Sequence, residues 1–362
     1  MKSREYRLKE VCLEITGACP MNCLHCSGNC DLGSHSILSL EQINGVIDEL
    51  REMGGKILEI SGGEPLMVPY ISQIVRYAVQ SNVEPILYTS GSVFDDVVVR
   101  ELRESGLEKV VFSLQGSKSQ THETITQAEG SFARTTAAIG KMKKLSFWVG
   151  VHFVPMKPNY SEFRTLLDLC ESLNVDEVGV LRFVPQGRGL LNRSKLELPR
   201  EKFREFIGDL AAQASANPTI RVGCPIDFRH LLGASLVGST CNAGISKCLI
   251  NPDGTVVPCP AFKQSKQYVA GNIKNKPLTE IWDDSPIWQG FRNFDHKQIN
   301  EPCKSCEYLD KCRGKCIAQR TLECSDMYAA PDPKCFAPHL LIELTGAVRR
   351  RQDSAPPIRR RC

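Results

Sequence analysis

From residue 11 to about residue 185, short apolar runs alternate with longer amphipathic stretches. The runs cover 11–16, 57–61, 84–89, 109–114, 148–155 and 177–185, each of strand length. Between them, apolar residues recur at helical spacing over about 39–53, 70–81, 94–105, 131–145 and 160–173. The first of these helices is predicted to start at Ser39, with Gln42 three residues on as a capping box, and to stop at Gly54-Gly55. Strand and helix repeated through six strands predict an α/β fold of parallel strands joined by right-handed crossovers. A helix over about 199–214 is expected to close this region. Beyond residue 220 the texture changes to Gly, Pro and Cys with little periodicity.

In sheets of this kind, chemistry sits at the carboxyl ends of the strands. The loops predicted there hold the notable residues. Cys19, Cys23 and Cys26 follow the first run, Gly62-Gly63-Glu64-Pro65 the second, and Thr89-Ser90-Gly91 the third. Ser113 ends the fourth run, Asn159 follows the fifth, and Arg182 lies on the sixth. The cysteines are spaced C-x3-C-x2-C. Complete ligation of a [4Fe-4S] cube takes four thiolates, so three leave one iron to hold a small molecule. Gly62–Pro65 read alone is an ordinary tight turn. Its position after the next predicted strand gives it a functional context.

These two motifs resemble those of the radical S-adenosylmethionine (SAM) family. That family carries C-x3-C-x-φ-C after its first barrel strand, with φ usually aromatic, and a Gly-Gly-Glu-Pro turn after the second; here His25 occupies the φ position. The resemblance implies a partial (β/α)6 barrel, a SAM-binding [4Fe-4S] cluster on Cys19, Cys23 and Cys26, and reductive cleavage of SAM to a 5′-deoxyadenosyl radical. It also implies that Glu64 and the Gly62-Gly63 backbone, with Pro65 completing the turn, meet the SAM amino group, and that backbone at His25 meets the adenine. Ser113 and Arg182 are candidate contacts for ribose or carboxylate, with the alternative that each is simply a polar residue at a strand end.

Ten of the seventeen cysteines lie between Cys224 and Cys335. Cys241 is followed by Gly254 and Cys259, then by Cys303-x2-Cys306-x5-Cys312-x3-Cys316 and finally Cys335. The spacing resembles the seven-cysteine signature of the SPASM extension, which holds two auxiliary [4Fe-4S] clusters and often uses an eighth cysteine. Carried over, the first cluster takes Cys241, Cys259 and Cys316 with Cys248 as fourth ligand, and the second takes Cys303, Cys306, Cys312 and Cys335. The total is three clusters. A four-cysteine zinc ribbon is the alternative for the C-x2-C and C-x3-C pairs. Cys12 and Cys170 read as buried small residues, Cys30 as packing beside the loop with a site residue as the alternative, and Cys324 as a rival to Cys335.

At 362 residues, with 42% hydrophobic and 24% charged, the chain suits one large and one smaller domain. The expected division is 1–220 for the barrel, 221–345 for the SPASM domain and 346–362 for a disordered basic tail. No apolar run is long enough for a membrane span, and the charged start lacks a signal-peptide centre, so a cytoplasmic address is expected. There, seventeen cysteines read as metal ligands rather than disulfides. A net charge of +4 gives no case for nucleic acid. Arg188, Arg193 and Arg229 are read as facing solvent, with binding of a carboxylate or phosphate as the alternative.

The resemblance implies a radical SAM oxidoreductase acting on a substrate C–H bond and served by an electron donor such as flavodoxin or ferredoxin. SPASM proteins include peptide and protein maturases of the thioether, PQQ, mycofactocin and sulfatase systems, and also enzymes oxidising aminocyclitol alcohols or tetrapyrrole side chains. In sulfatase maturases an acidic residue after the G-x4-C cysteine serves as base, whereas Pro260 follows Cys259 here. Peptide modification is the reading taken, with small-molecule oxidation as the alternative. Because the first motif begins by residue 12, a peptide is expected to bind directly or through a separate leader-binding protein. A zinc-stabilised nucleic-acid-binding module is the reading from another class, and it leaves Gly62–Pro65 without a task.

Overall fold

The computed structural model describes residues 6–223, 225–233 and 241–338. Cys224, Cys362 and the expected 346–362 tail lie outside the described residues. The chain begins with β1 (Glu10–Glu14), α1 (Leu40–Glu52), β2 (Ile57–Ser61), α2 (Ile71–Gln80), β3 (Glu84–Thr89) and α3 (Asp96–Glu104). It continues with β4 (Lys109–Ser113), α4 (Ser119–Thr126), α5 (Ser131–Lys144), β5 (Trp148–Phe153), α6 (Phe163–Ser172) and β6 (Glu177–Val180). Two single turns, α7 (Arg188–Leu191) and α8 (Arg193–Leu196), precede α9 (Arg200–Ala216) and β7 (Ile220–Val222). The remainder holds β8 (Lys247–Ile250), β9 (Thr255–Val257), β10 (Gly271–Asn272), α10 (Leu278–Asp284), α11 (Ile287–Arg292), α12 (Leu309–Cys312) and α13 (Ile317–Cys324).

Contacts divide the chain into two compact units. The first comprises 1–197, 219–221 and 242–294. Its sheet runs β10-β9-β8-β1-β2-β3-β4-β5-β6-β7, with β1 to β6 parallel and in sequence order. β8 adds in parallel to the outer side of β1, and β9 and β10 follow antiparallel. The cysteine-rich stretch therefore supplies three strands to the barrel sheet, and the contact division does not follow the expected boundary at residue 220.

Local chemistry explains the predicted elements. The Ser39 hydroxyl accepts from the Gln42 N–H at 3.2 Å, and Gln42 Oε1 accepts from the Ser39 N–H at 2.9 Å, closing the capping box of α1. Ile43, Val46, Ile47 and Leu50 form its buried stripe at helical spacing. Along β1, Val11 and Leu13 point to one face, while Glu10, Cys12 and Glu14 share the other. That second face is polar. Lys247 on β8 pairs there with Glu10 and with Glu59 (2.8 Å), and Tyr88 on β3 donates to Glu59 at 2.9 Å. The Tyr88 and His152 rings lie 5.3 Å apart although β4 separates their strands, so this face is concave.

The second unit comprises 198–218, 222–241 and the chain from 295 on. Its apolar centre is aromatic: Phe228 lies 5.6 Å from Phe203 and 5.9 Å from Phe336 by ring centroids. Thus α9, expected to close the barrel, belongs by contacts to this unit. Among the described residues, no helix is long and apolar enough to cross a membrane.

Candidate functional site

The two glycines of the second-strand turn are dictated by how closely it meets the cysteine loop. Gly62 has φ +142°, and a Cβ there would lie 2.4 Å from the Thr16 carbonyl oxygen. A Cβ on Gly63 would lie 2.1 Å from that of Ala18. The Gly63 N–H donates to Thr16 O at 2.6 Å and the Glu64 N–H to Ala18 O at 2.8 Å. Side chains are excluded so that backbone can lock to backbone directly before Cys19.

Glu64 is fully buried. Its Oε1 accepts from the Thr89 hydroxyl (2.6 Å) and the Leu66 N–H (3.2 Å), while Oε2 accepts from the Ser90 N–H (2.9 Å) and the Ser90 hydroxyl. Burial raises its pKa against these four donors. The carboxylate therefore binds the end of β3 to the turn after β2. Pro65, also buried, opens the 3-10 turn that follows.

In the cysteine loop, burial pushes Cys19 up to about 11 and Cys23 higher still. The Cys30 thiol hydrogen-bonds to Cys26 and holds it below the ordinary thiol range. Cys30 is thus more than packing, since it touches a predicted cluster ligand. The loop is fixed from outside by Arg188, whose Nε donates to Cys23 O at 3.0 Å and Nη2 to Cys30 O at 2.7 Å. The Gly189 N–H reaches Cys26 O at 3.3 Å. The expectation that Arg188 faces solvent is corrected, and so is that for Arg229, which pairs with Asp227 at 2.8 Å; Arg193 stays about a third exposed while pairing with Glu197 at 2.6 Å.

His25 has its Nδ1 buried with no hydrogen-bond partner among the described residues, and burial lowers its pKa to about 4. Ser113 is exposed at the carboxyl end of β4. Arg182 is 7% exposed but lies beyond β6, which ends at Val180 rather than running to 185. Asn159, fully buried, donates to Gln115 O (2.9 Å) and Val154 O (3.0 Å), tying the ends of β4 and β5.

A buried ion pair, unmarked by any motif, sits at the same end of the concave face. Glu14, the last residue of β1, pairs with Lys263, their side chains 7% and 10% exposed. A Cβ on Gly28 would lie 2.9 Å from Cys30 Sγ and 4.0 Å from Lys263 Nζ, so the pair adjoins the cysteine loop.

Four of the remaining predicted ligands converge within the second unit. Cys303, Cys306, Cys312 and Cys335 line one pocket, with Gly314, Lys315 and Asp332. Among the described residues, no three His, Cys, Asp or Glu side chains are grouped so as to hold a single metal ion. Cys324 is disulfide-bonded and no rival to Cys335.

The other predicted set is distributed over the units. In the first, Cys248 is fully buried on β8, on the Val11 side of the sheet, and Cys259 follows β9. The intervening Gly254 has φ +89° in the β8–β9 hairpin, which gives the glycine of the signature its physical reason. Cys241 and Cys316 belong to the second unit.

The sequence pattern of the radical SAM superfamily matches residues 13–170, and that of the SPASM iron-sulfur cluster-binding domain matches 241–307. The mycofactocin maturase MftC of Mycobacterium ulcerans is 30% identical over 337 residues, 90% of this chain and 87% of that protein. The AdoMet-dependent heme synthase of Methanosarcina barkeri is 26% identical, covering 90% and 95%. The PqqA peptide cyclase of Gluconobacter oxydans is 27% identical, covering 89% and 88%. In fold, the chain resembles Streptococcus suis SuiB bound to S-adenosylmethionine, with a TM-score of 0.75 at 19% identity over 91% of this chain and 78% of that one.

Proposed function

The chain belongs to the radical SAM superfamily and carries a SPASM domain, and from that premise we propose that it modifies a peptide by radical SAM chemistry. The observation that carries this reading is the lock between Gly62-Gly63-Glu64 and the loop of Cys19, Cys23 and Cys26. With a four-iron cluster on those thiols, bound SAM supplies hydrogen-atom abstraction from an unactivated C–H bond.

The chain's own groups position that chemistry. Glu64 has its acceptor capacity filled by Thr89, Ser90 and Leu66, which leaves backbone oxygens of the turn to meet the ammonium of SAM. His25 stays neutral when buried, in keeping with an uncharged base beside its backbone. Arg188 holds the loop's carbonyls in place. Cys303, Cys306, Cys312 and Cys335 would hold one auxiliary cluster, and Cys241, Cys259 and Cys316 with Cys248 the other. The partners are a flavodoxin- or ferredoxin-type electron donor and a peptide presented directly or by a separate binding protein. The location is the cytoplasm.

Peptide substrates are supported by the PqqA cyclase and the mycofactocin maturase among the relatives. The heme synthase supports a second reading, oxidation of a tetrapyrrole side chain. Protein purified anaerobically is assayed for iron and for 5′-deoxyadenosine formation from SAM under reductant. About twelve irons per chain and deoxyadenosine formation support the reading. Zinc without iron after reconstitution, and no deoxyadenosine, overturns it. Deoxyadenosine formation stimulated by a PqqA-type or mycofactocin-precursor peptide selects the first substrate class, and stimulation by a tetrapyrrole alone selects the second.

A further inference from the structure

Residues 186–189, beyond β6, touch two loops at once, all within the first unit. On one side they grip the loop of Cys19, Cys23 and Cys26. Arg188 donates to Cys23 O and Cys30 O, and the Gly189 N–H reaches Cys26 O. Gly187 has φ +53°, and a Cβ there would lie 2.8 Å from both Cys26 O and Ser27 O. On the other side the same residues reach the segment behind Cys259. Gln186, 4% exposed, donates from Nε2 to Ala261 O at 2.6 Å, and its Oε1 accepts from the Gln264 N–H at 3.3 Å. That segment starts at Cys259 itself, whose carbonyl accepts from the Phe262 N–H at 2.9 Å as the 3-10 turn Pro260–Phe262 closes.

A primary amide suits this place. It carries donors and an acceptor on one flat head, and the Ala261 carbonyl and the Gln264 N–H call for one of each. Both partners are backbone groups, so the two bonds fix the path of the chain behind Cys259. A carboxylate would set an acceptor against the Ala261 carbonyl. An unbranched aliphatic side chain of similar length would take this partner from both groups. A second tie lies beside the first: Lys263, between the two bonded residues, pairs with Glu14 at the end of β1, the strand that leads into the cysteine loop. The segment behind Cys259 is thus tied at two points to the chain that frames Cys19, Cys23 and Cys26.

We propose that Gln186 is a positioning residue that joins the loop of the SAM-binding cluster to the segment behind Cys259, so that this cluster is retained partly through the chain that follows an auxiliary-cluster ligand. The proposal rests on the reading above that Cys19, Cys23 and Cys26 hold one four-iron cluster and that Cys259 is a ligand of another. Gln186 acts through the backbone it holds. Its signature is the hold of the protein on a cluster, read with a side chain that can be switched between donor and acceptor.

The test uses the full chain with its clusters loaded and compares wild type with Gln186→Met and Gln186→Glu. A chelator is added at pH 8 and at pH 6, and the loss of the cluster whose EPR signal changes on adding SAM is timed relative to wild type at the same pH. Wild type without a SAM-responsive cluster overturns the functional reading itself, before any variant is weighed. With that cluster present, Gln186→Met is expected to lose it about tenfold faster at both pH values, the scale of two neutral hydrogen bonds. Gln186→Glu is expected to lose it at least as fast at pH 8, where a carboxylate opposes the Ala261 carbonyl. At pH 6 it should come within about twofold of wild type, because burial favours the protonated carboxyl, which both donates and accepts. An unchanged rate in Gln186→Met overturns the proposal. So does a rate in Gln186→Glu that ignores pH, since a residue that only fills space does not respond to a proton. Should Gln186→Met not take up the cluster, Gln186→Glu loaded at pH 6 carries the test, and its failure to load overturns the proposal as well.

Discussion

Arg188 donates from Nη2 to the backbone carbonyl of Cys30 at 2.7 Å, across 158 residues of chain. With its second bond to Cys23 O, one side chain holds both ends of the segment that carries Cys23 and Cys26. Hydrogen bonds from a charged donor contribute about 1.5–3 kcal/mol each. Arg188→Ala is expected to lose about four irons per chain at a chelator concentration that wild type withstands, leaving the auxiliary clusters in place. Arg188→Lys, which lacks the two-pronged geometry, should recover only part of the loss. Iron analysis after chelator challenge decides it.

A Gly63 Cβ, fixed on its Cα, would clash with the backbone oxygen of Ala18, so neither atom can rotate away. Gly63→Ala should therefore displace the turn after β2 or the cysteine loop, costing about 3 kcal/mol or more. Deoxyadenosine formation is expected to fall at least a hundredfold. Equilibrium dialysis with SAM should show the loss in binding.

Glu14 and Lys263 are a buried pair, and removing one partner of such a pair costs about 3–5 kcal/mol. Lys263→Met and Glu14→Gln are each expected to be strongly destabilising. The double variant should be less so than the sum, with a coupling of about 1–3 kcal/mol in a double-mutant cycle read by denaturant unfolding. Substrate turnover is not expected to return with stability, since the pair adjoins the cysteine loop.

His122 is fully buried, its Nδ1 accepting from the Gln115 N–H at 3.1 Å, and burial lowers its pKa from 6.5 to about 4. The unfolded chain thus binds a proton that the folded chain refuses. Stability is complete above about pH 6.5 and falls as the pH drops toward 4, by up to ~3 kcal/mol for this one group. Unfolding at pH 7, 6 and 5 should show the decline. His122→Asn should start lower at pH 7 and decline less steeply.

Residues 57–61 and 84–89 were legible to the residue, because each is a short apolar run, the first ending at Gly62 and the second just before Gly91, both with positive φ. α4 was not legible: Ser119–Thr126 has no apolar stripe, and its buried positions are His122, Ile125 and Thr126. β8 to β10 were missed because they are two to four residues long and β8 takes its meaning from β1, far away in sequence. The cysteines announced the candidate site through their spacing. The roles of Arg188 and Lys263 were not legible, because an isolated basic residue looks alike in sequence whether it meets solvent or a buried carbonyl or carboxylate. Only packing tells them apart.

The pairing of β1 with β8 also sets the order in which the protein can be finished. β1 is made well before its outer neighbour, Lys247–Ile250. Until that late segment is made, β1 is an open parallel edge, able to pair with another nascent chain. Its partner for Glu10 is Lys247, 237 residues downstream. A chain cut near residue 220, where the sequence changes texture, would keep that edge open permanently. The cysteine-rich stretch is therefore the closing piece of the sheet, and the strand that leads into the loop of Cys19, Cys23 and Cys26 gains its outer neighbour only once that later segment has been made.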